Sequence, residues 1–169
     1  FPTRRSSDLD DRETRSLIAK YLRTNSCHVT TASDGREMAK AMTDHRVDLL
    51  VLDVMLPGED GLSLCRKVRA ESQTPIIMLT GHSEKRRVTV ARDAGVTEFL
   101  AKPISAKGLY QRIMNVVANP RPFIKTKTYF GPDRRRNTTN TYIGPERRGS
   151  GEVEVLQQPS LLDKARSTI

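Results

Sequence analysis

A hydrophobic period that switches back and forth along the chain constrains its fold more than any other feature. Leu49-Leu50-Val51-Leu52 and Pro75-Ile76-Ile77-Met78-Leu79 are short apolar runs without polar alternation, as required of strands covered on both faces of a parallel sheet. Around them, apolar residues recur at helical spacing. Residues 13–24 put Leu17, Ile18, Tyr21 and Leu22 on one face, 36–45 use Met38, Ala39 and Met42, and 61–70 use Leu62, Leu64, Cys65 and Val68. Residues 84–94 read as a helix closed by Gly95, 97–100 as a short strand, and 105–118 as a helix capped by Ser105 with Leu109, Ile113, Val116 and Val117 inward. The β-branched stretch 27–32 reads as one more strand, followed by turn and cap residues Ser33-Asp34-Gly35. Strands alternating with helices build βα units, so the fold class is α/β, a doubly wound parallel sheet with helices on both faces.

A unit that opens helix, strand, helix lacks its first strand, and residues 1–9, FPTRRSSDL, contain no apolar run to supply it. These nine residues coincide with the translation of a widely used short-read sequencing adapter. They are read as a non-native leader standing where the native first strand belongs, which divides the chain into a leader (1–9), one domain (10–119) and a tail (120–169).

Open parallel sheets bind ligands beyond the carboxyl ends of their strands, and polar residues stand at those ends here. Asp10 and Asp11 fall where the first strand should finish, Asp53 ends LLVLD, Thr80 ends PIIMLT, and Lys102 follows EFLA and precedes Pro103. Clustered carboxylates suit a hard cation such as Mg²⁺, which takes one or two carboxylates and completes its shell with water and phosphate oxygens. One carboxylate could then attack a phosphoryl group in line, with Lys102 and the Thr80 hydroxyl supplying charge and a hydrogen bond to its oxygens. Singly, each residue has a plainer reading: Asp53 as a turn former, Thr80-Gly81 as a strand exit, Lys102 as a solvated side chain.

Together, DVMLPGEDG after LLVL, LTG after PIIM and KP after EFLA resemble the receiver domain of two-component response regulators, over residues 10–119. The resemblance implies five strands in the order 2-1-3-4-5. It implies that Asp53 is the phosphoacceptor, that Asp10, with Asp11 beside it, Asp53 and the main-chain carbonyl of Met55 hold Mg²⁺, and that Thr80 and Lys102 contact the phosphoryl group. Phe99 takes the place of an aromatic that changes rotamer on phosphorylation. The donor would be a histidine kinase or a histidine phosphotransfer protein, and phosphorylation would switch the face built by 84–94, 97–100 and 105–118 for docking on a downstream protein target. The same pattern sets the family's paired acids at positions 9 and 10, and position 9 is Leu9. In that order the first strand is central, so replacing it leaves strands two and three without their shared neighbour.

The formal net charge of +9 is concentrated in the tail, where residues 120–169 contain ten Lys and Arg against five Asp and Glu. Few apolar residues and many Pro, Gly, Thr and Asn give this stretch the composition of a flexible segment. Within it, Tyr129-Phe130-Gly131-Pro132-Asp133-Arg134-Arg135 recurs as Tyr142-Ile143-Gly144-Pro145-Glu146-Arg147-Arg148. The arginine pairs could grip phosphates or carboxylates and the tyrosines could stack or insert, against the alternative of a solvated basic linker. A short amphipathic helix around Leu161-Leu162 is expected within the final stretch, 152–169. The tail is too poor in apolar residues for an output domain, so the expectation is a single-domain receiver that promotes its own phosphorylation, is otherwise not an enzyme, and acts by docking or relay. The alternatives are a receiver-like docking module that needs no phosphorylation, and nucleic-acid contact through the tail. No apolar run approaches the roughly 18 residues of a membrane span. Cys27 and Cys65 with three scattered His suggest neither disulfides nor a zinc site, and the expected compartment is the cytoplasm.

Overall fold

The computed structural model describes residues 6–56, 58–81, 87–134 and 154–156. Helix α1 (Ser6–Thr24) leads through a stretch without regular structure into α2 (Gly35–Asp44), β1 (Leu50–Asp53), the short hairpin β2 (Met55–Leu56) and β3 (Glu59–Asp60), and α3 (Gly61–Glu71). Then come β4 (Ile76–Thr80), α4 (Arg87–Asp93), β5 (Glu98–Ala101) and α5 (Ala106–Ala118). Helix starts follow local chemistry. Asp34 accepts from the amides of Arg36 and Glu37 at 2.9 Å, and Glu37 reaches back to the Ser33 amide at 2.7 Å, a contact that holds its carboxyl below the usual range. Ser105 caps α5 through the Gly108 amide at 3.0 Å. Gly95 ends α4 with φ +88°, a left-handed conformation that favours glycine.

β1, β4 and β5 form one parallel sheet in the order β1-β4-β5. Successive residues of each strand enter opposite cores, the period-2 geometry of a pleated strand. Leu50, Leu52, Ile76 and Met78 meet α2, α3 and α4 through Met38, Leu64, Cys65 and Ala91. Val51, Ile77 and Leu79 meet α1 and α5 through Ile18, Leu109 and Ile113. Tyr21 and Tyr110 join the two helices edge to face, with centroids 6.2 Å apart.

The α/β class and the β1-β4-β5 neighbours agree with the expected order, but the described residues place three strands in this sheet, not five. Residues 6–11, Ser-Ser-Asp-Leu-Asp-Asp, belong to α1 and contain no β-branched apolar run; acidic residues near a helix N-terminus are favoured by its dipole. Residues 27–32 form no strand. Their expected ladder partner is the first strand, and in its place side chains of α1 take up main-chain acceptors. Arg23 donates to the Val29 carbonyl at 2.9 Å and Arg15 to the Ala32 carbonyl at 3.1 Å. Between this segment and β1 lies a cleft of about 2370 Å³.

The stretch read from composition as flexible contains strands. β6 (Phe123–Lys125) pairs antiparallel with β7 (Phe130–Pro132) and with β8 (Glu154–Leu156), the last within a region expected to be helical. Phe123 is fully buried and packs on Phe130 at 5.6 Å. Beneath it lies Arg69, 4% exposed, with its guanidinium 4.9 Å from the Phe123 ring. Arg69 donates to the carbonyls of Gly95 (2.7 Å), Thr74 (2.6 Å) and Ser72 (3.2 Å), and burial pulls its pKa down to about 10. The tail is also tied down by Arg121–Glu98 at 2.6 Å and Arg134–Asp93 at 2.9 Å. Leu161 and Leu162 lie outside the described residues.

Replacing Arg69 by Ala strips one buried and two part-buried carbonyls of this donor and leaves a void under Phe123. The expected loss is about 2–4 kcal/mol in urea unfolding. Cys65, wholly buried with its thiol donating to the Ala94 carbonyl, has its pKa pushed up to about 11 by burial. Native protein should therefore react with a thiol reagent at the half-buried Cys27, while Cys65 becomes reactive only on unfolding.

Candidate functional site

The carboxyl ends of the three parallel strands bring together Asp53 from β1, Thr80 from β4 and Lys102, the residue after β5. The ladder register sets this convergence, since Asp53 pairs with Leu79 and Thr80 with Ala101. Asp53 Oδ2 forms an ion pair with Lys102 Nζ, and Oδ1 accepts the Met55 amide at 3.0 Å. Both charged side chains are largely withdrawn from solvent, at 20% and 33% exposure. The Lys102 amide donates to the Thr80 carbonyl at 2.8 Å, which fixes where the lysine leaves the sheet. The Lys102–Pro103 peptide is cis. A paired, partly buried carboxylate beside a lysine and a buried threonine can receive an electrophile with several anionic oxygens and neutralise the charge that arrives.

Other expected residues fall differently. Asp10 and Asp11 lie within α1, not at a strand end, so the strand-end acids foreseen from the sequence are not realised there. Residues 6–9, with no apolar run, belong to α1 instead of a strand. Among the described residues no group of three or more His, Cys, Asp or Glu gathers as a metal site. Met55 follows β1 in the short hairpin, 63% exposed. Phe99 pairs with Met78 in the ladder and packs against the core formed with α2, α3 and α4. In the tail, Arg134 stacks 3.9 Å from the Tyr129 ring and bridges to Asp93, so both side chains engage this chain's own surface. Arg135, Tyr142, Arg147 and Arg148 lie outside the described residues.

One positional residue escaped the sequence reading. Gly61 opens α3 with its amide on the Val54 carbonyl at 3.0 Å, and a Cβ there would stand 2.1 Å from the Asp53 carbonyl oxygen. The sequence signal was the Glu-Asp-Gly after the Pro-Gly turn, where the glycine reads only as a helix start.

A family model described as the response regulator receiver domain matches residues 9–114. The chain belongs to this family. The receiver is 40% identical over 104 residues to protein PetR of Rhodobacter capsulatus, covering 62% of this chain and 44% of that protein. It is 37% identical over 108 residues to the transcriptional regulatory protein AfsQ1 of Streptomyces coelicolor, covering 64% and 48%. The match thus spans less than half the length of these relatives. Among solved structures, the receiver domain of NtrX from Brucella abortus superposes with a TM-score of 0.61 at 26% identity, covering 65% of this chain and 94% of that one. The receiver domain of the TMAO respiratory regulator TorR gives 0.60 at 29% identity, covering 63% and 88%.

Gly61→Ala should displace the receiver's β1 end, because the new methyl group meets backbone. Unfolding experiments are expected to show a loss of about 1–3 kcal/mol. Lys102→Ala, by contrast, should change stability by no more than about 1 kcal/mol, since a partly exposed ion pair contributes little.

Proposed function

We propose that this receiver accepts a phosphoryl group on Asp53 from a phosphohistidine donor, a histidine kinase or a histidine phosphotransfer protein, in the cytoplasm. The observation that carries the reading is the Asp53–Lys102 pair at the carboxyl edge of the sheet, with Thr80 ending the strand between them. An Asp53 carboxylate oxygen attacks phosphorus in line, the bond from phosphorus to the donor imidazole nitrogen breaks, and the imidazole leaves with its electron pair. The product is an acyl phosphate. Lys102 exchanges its carboxylate partner for a phosphoryl oxygen, and the Thr80 hydroxyl donates to another. The Met55 amide holds Oδ1 in place during the exchange.

Hard oxygen donors at Asp53 and the Met55 carbonyl suit Mg²⁺, which needs few protein ligands. Asp10 is the further acid the family pattern assigns to it, with Asp11 beside it and Leu9 where the pattern has the other acid. When bound, the ion neutralises the negative charge brought together as the phosphoryl group arrives. The response to phosphorylation is assigned to the α4–β5–α5 face, with Phe99 as its aromatic and a downstream protein as its target. A second reading, docking without phosphorylation, is favoured by the helical placement of Asp10 and Asp11. Nucleic-acid contact through the tail draws no support from Arg134, which is already paired.

Incubation with acetyl phosphate and Mg²⁺ should add one phosphoryl group by intact mass, stable in acid and labile in base. The gain should vanish in Asp53→Ala and slow at least about tenfold in Lys102→Ala, one lost charge-assisted contact. No gain in the unaltered chain overturns the phosphoacceptor reading in favour of docking alone.

A further inference from the structure

Residues 121–134 are pinned to the receiver at two points that belong to different elements. Arg121 bridges to Glu98, the first residue of β5, at 2.6 Å, and Arg134 to Asp93, the last residue of α4, at 2.9 Å. Glu98 also takes Arg112 of α5 at 3.7 Å. The tail thus reaches all three elements of the α4–β5–α5 face, at the end remote from Asp53. Both arginines project from one rigid piece. β6 and β7 pair in register, Phe123 packs on Phe130, and the Asp133 amide donates to the Pro122 carbonyl at 2.8 Å, which closes the end of the hairpin where the arginines stand. A rigid hairpin can meet Glu98 and Asp93 together only in one relative placement of β5 and α4. That placement accompanies a direct Asp53–Lys102 ion pair, the arrangement of a carboxylate that has not been phosphorylated.

The Asp93 arm is the weaker of the two. Arg134 stacks 3.9 Å from the Tyr129 ring, but its Nε is buried with no hydrogen-bond partner among the described residues, and the Asp93 side chain is 57% exposed. A buried donor left unpaired gives back part of what the contact gains, and a half-exposed ion pair contributes little. This arm can open while Phe123, buried over Arg69, keeps the hairpin attached. We infer, with Asp53 as the phosphoacceptor, that hairpin 121–134 is a built-in clasp on the α4–β5–α5 face. It holds α4 against β5 in the unphosphorylated arrangement, and a phosphoryl group on Asp53 opens the Arg134–Asp93 arm. The first element on which the switching face acts is then this chain's own tail. A bound group shifts an equilibrium only through its unequal affinity for the two states. Coupling between two sites is reciprocal, so removing the arm strengthens binding at Asp53 by the factor by which that binding opens the arm.

The full chain is titrated with beryllium trifluoride, a tetrahedral stand-in for a phosphoryl group, in the presence of Mg²⁺. The unaltered protein is compared with Arg134→Ala, Asp93→Ala and the double variant, and NMR follows the Met55 and Lys102 amides for binding and hydrogen exchange at the Asp133 amide for the arm. Each single variant should bind about two- to fivefold more tightly than the unaltered chain, as much as a partly exposed ion pair can supply. The double variant should bind no more tightly than either single one, because both remove the same contact. In the unaltered chain, exchange at Asp133 should rise by about the same two- to fivefold factor on binding, as reciprocity requires. Equal affinity of the unaltered chain and Arg134→Ala, or unchanged exchange at Asp133 on binding, overturns the clasp and leaves Asp53 standing as the phosphoacceptor. Additive gains in the double variant also overturn it, since the two residues would then act separately. Binding to none of the four proteins overturns both the clasp and the phosphoacceptor reading.

Discussion

The structure depends on a three-stranded parallel ladder that must be covered on both faces. Each peptide bond of β4 is satisfied by β1 on one side and β5 on the other, so the strand lies in the middle of the molecule. Ile76, Ile77 and Met78 are accordingly wholly buried, the deepest run among the described residues. Parallel strands cannot be joined by tight turns. The helices that return the chain to the start of the next strand are the same helices that cover its faces, so connection and core are one problem with one solution.

This arrangement explains why charged residues sit where they do. Along β1, β4 and β5 the side chains face apolar cores, and polar chemistry is expelled to the strand ends. Asp53 and Lys102, far apart in the chain, meet at one such end because the ladder register leaves them side by side. The backbone around them is tightly drawn. Gly61 brings α3 so close to the Asp53 carbonyl that no side chain fits between, and the Met55 amide pins one carboxylate oxygen. A carboxylate held by an amide on one oxygen and a lysine on the other is preorganised at modest cost, because neither charge is fully buried.

At the opposite end of the sheet a buried cation does structural work. Three carbonyls and the Phe123 ring, not a carboxylate, hold the Arg69 guanidinium among the described residues. Carbonyl dipoles and an aromatic face can hold a guanidinium with little loss of its charge. They also link α3, the turn at Gly95 and the first strand of the tail. Gly95 serves this junction twice: its φ of +88° closes α4, and a Cβ there would press on Arg69 and on the Phe130 carbonyl at 3.0 Å. The first Tyr-x-Gly-Pro-x-Arg copy completes the junction by stacking Arg134 on Tyr129 and pairing it with Asp93.

Periodicity and cap chemistry were enough to place α2, α3, α5, β1, β4 and β5, because each signal is local: an apolar run, a stripe, a side-chain oxygen three residues before an amide. Asp53, Thr80 and Lys102 were legible for the same reason, as polar residues ending apolar runs. Composition misread residues 123–134, where two short strands owe their order to Arg69, Glu98 and Asp93, all distant in the chain. Residues 27–32 illustrate the limit most directly. Their β-branched sequence prefers an extended backbone, yet they form no strand. For those six elements the sequence by itself determined helix or strand, because side-chain sterics and spacing act within a few residues. Only the tertiary structure decided which extended segments become sheet, because a ladder hydrogen bond needs a second strand. β1 has one on its β4 side and an open cleft on the other.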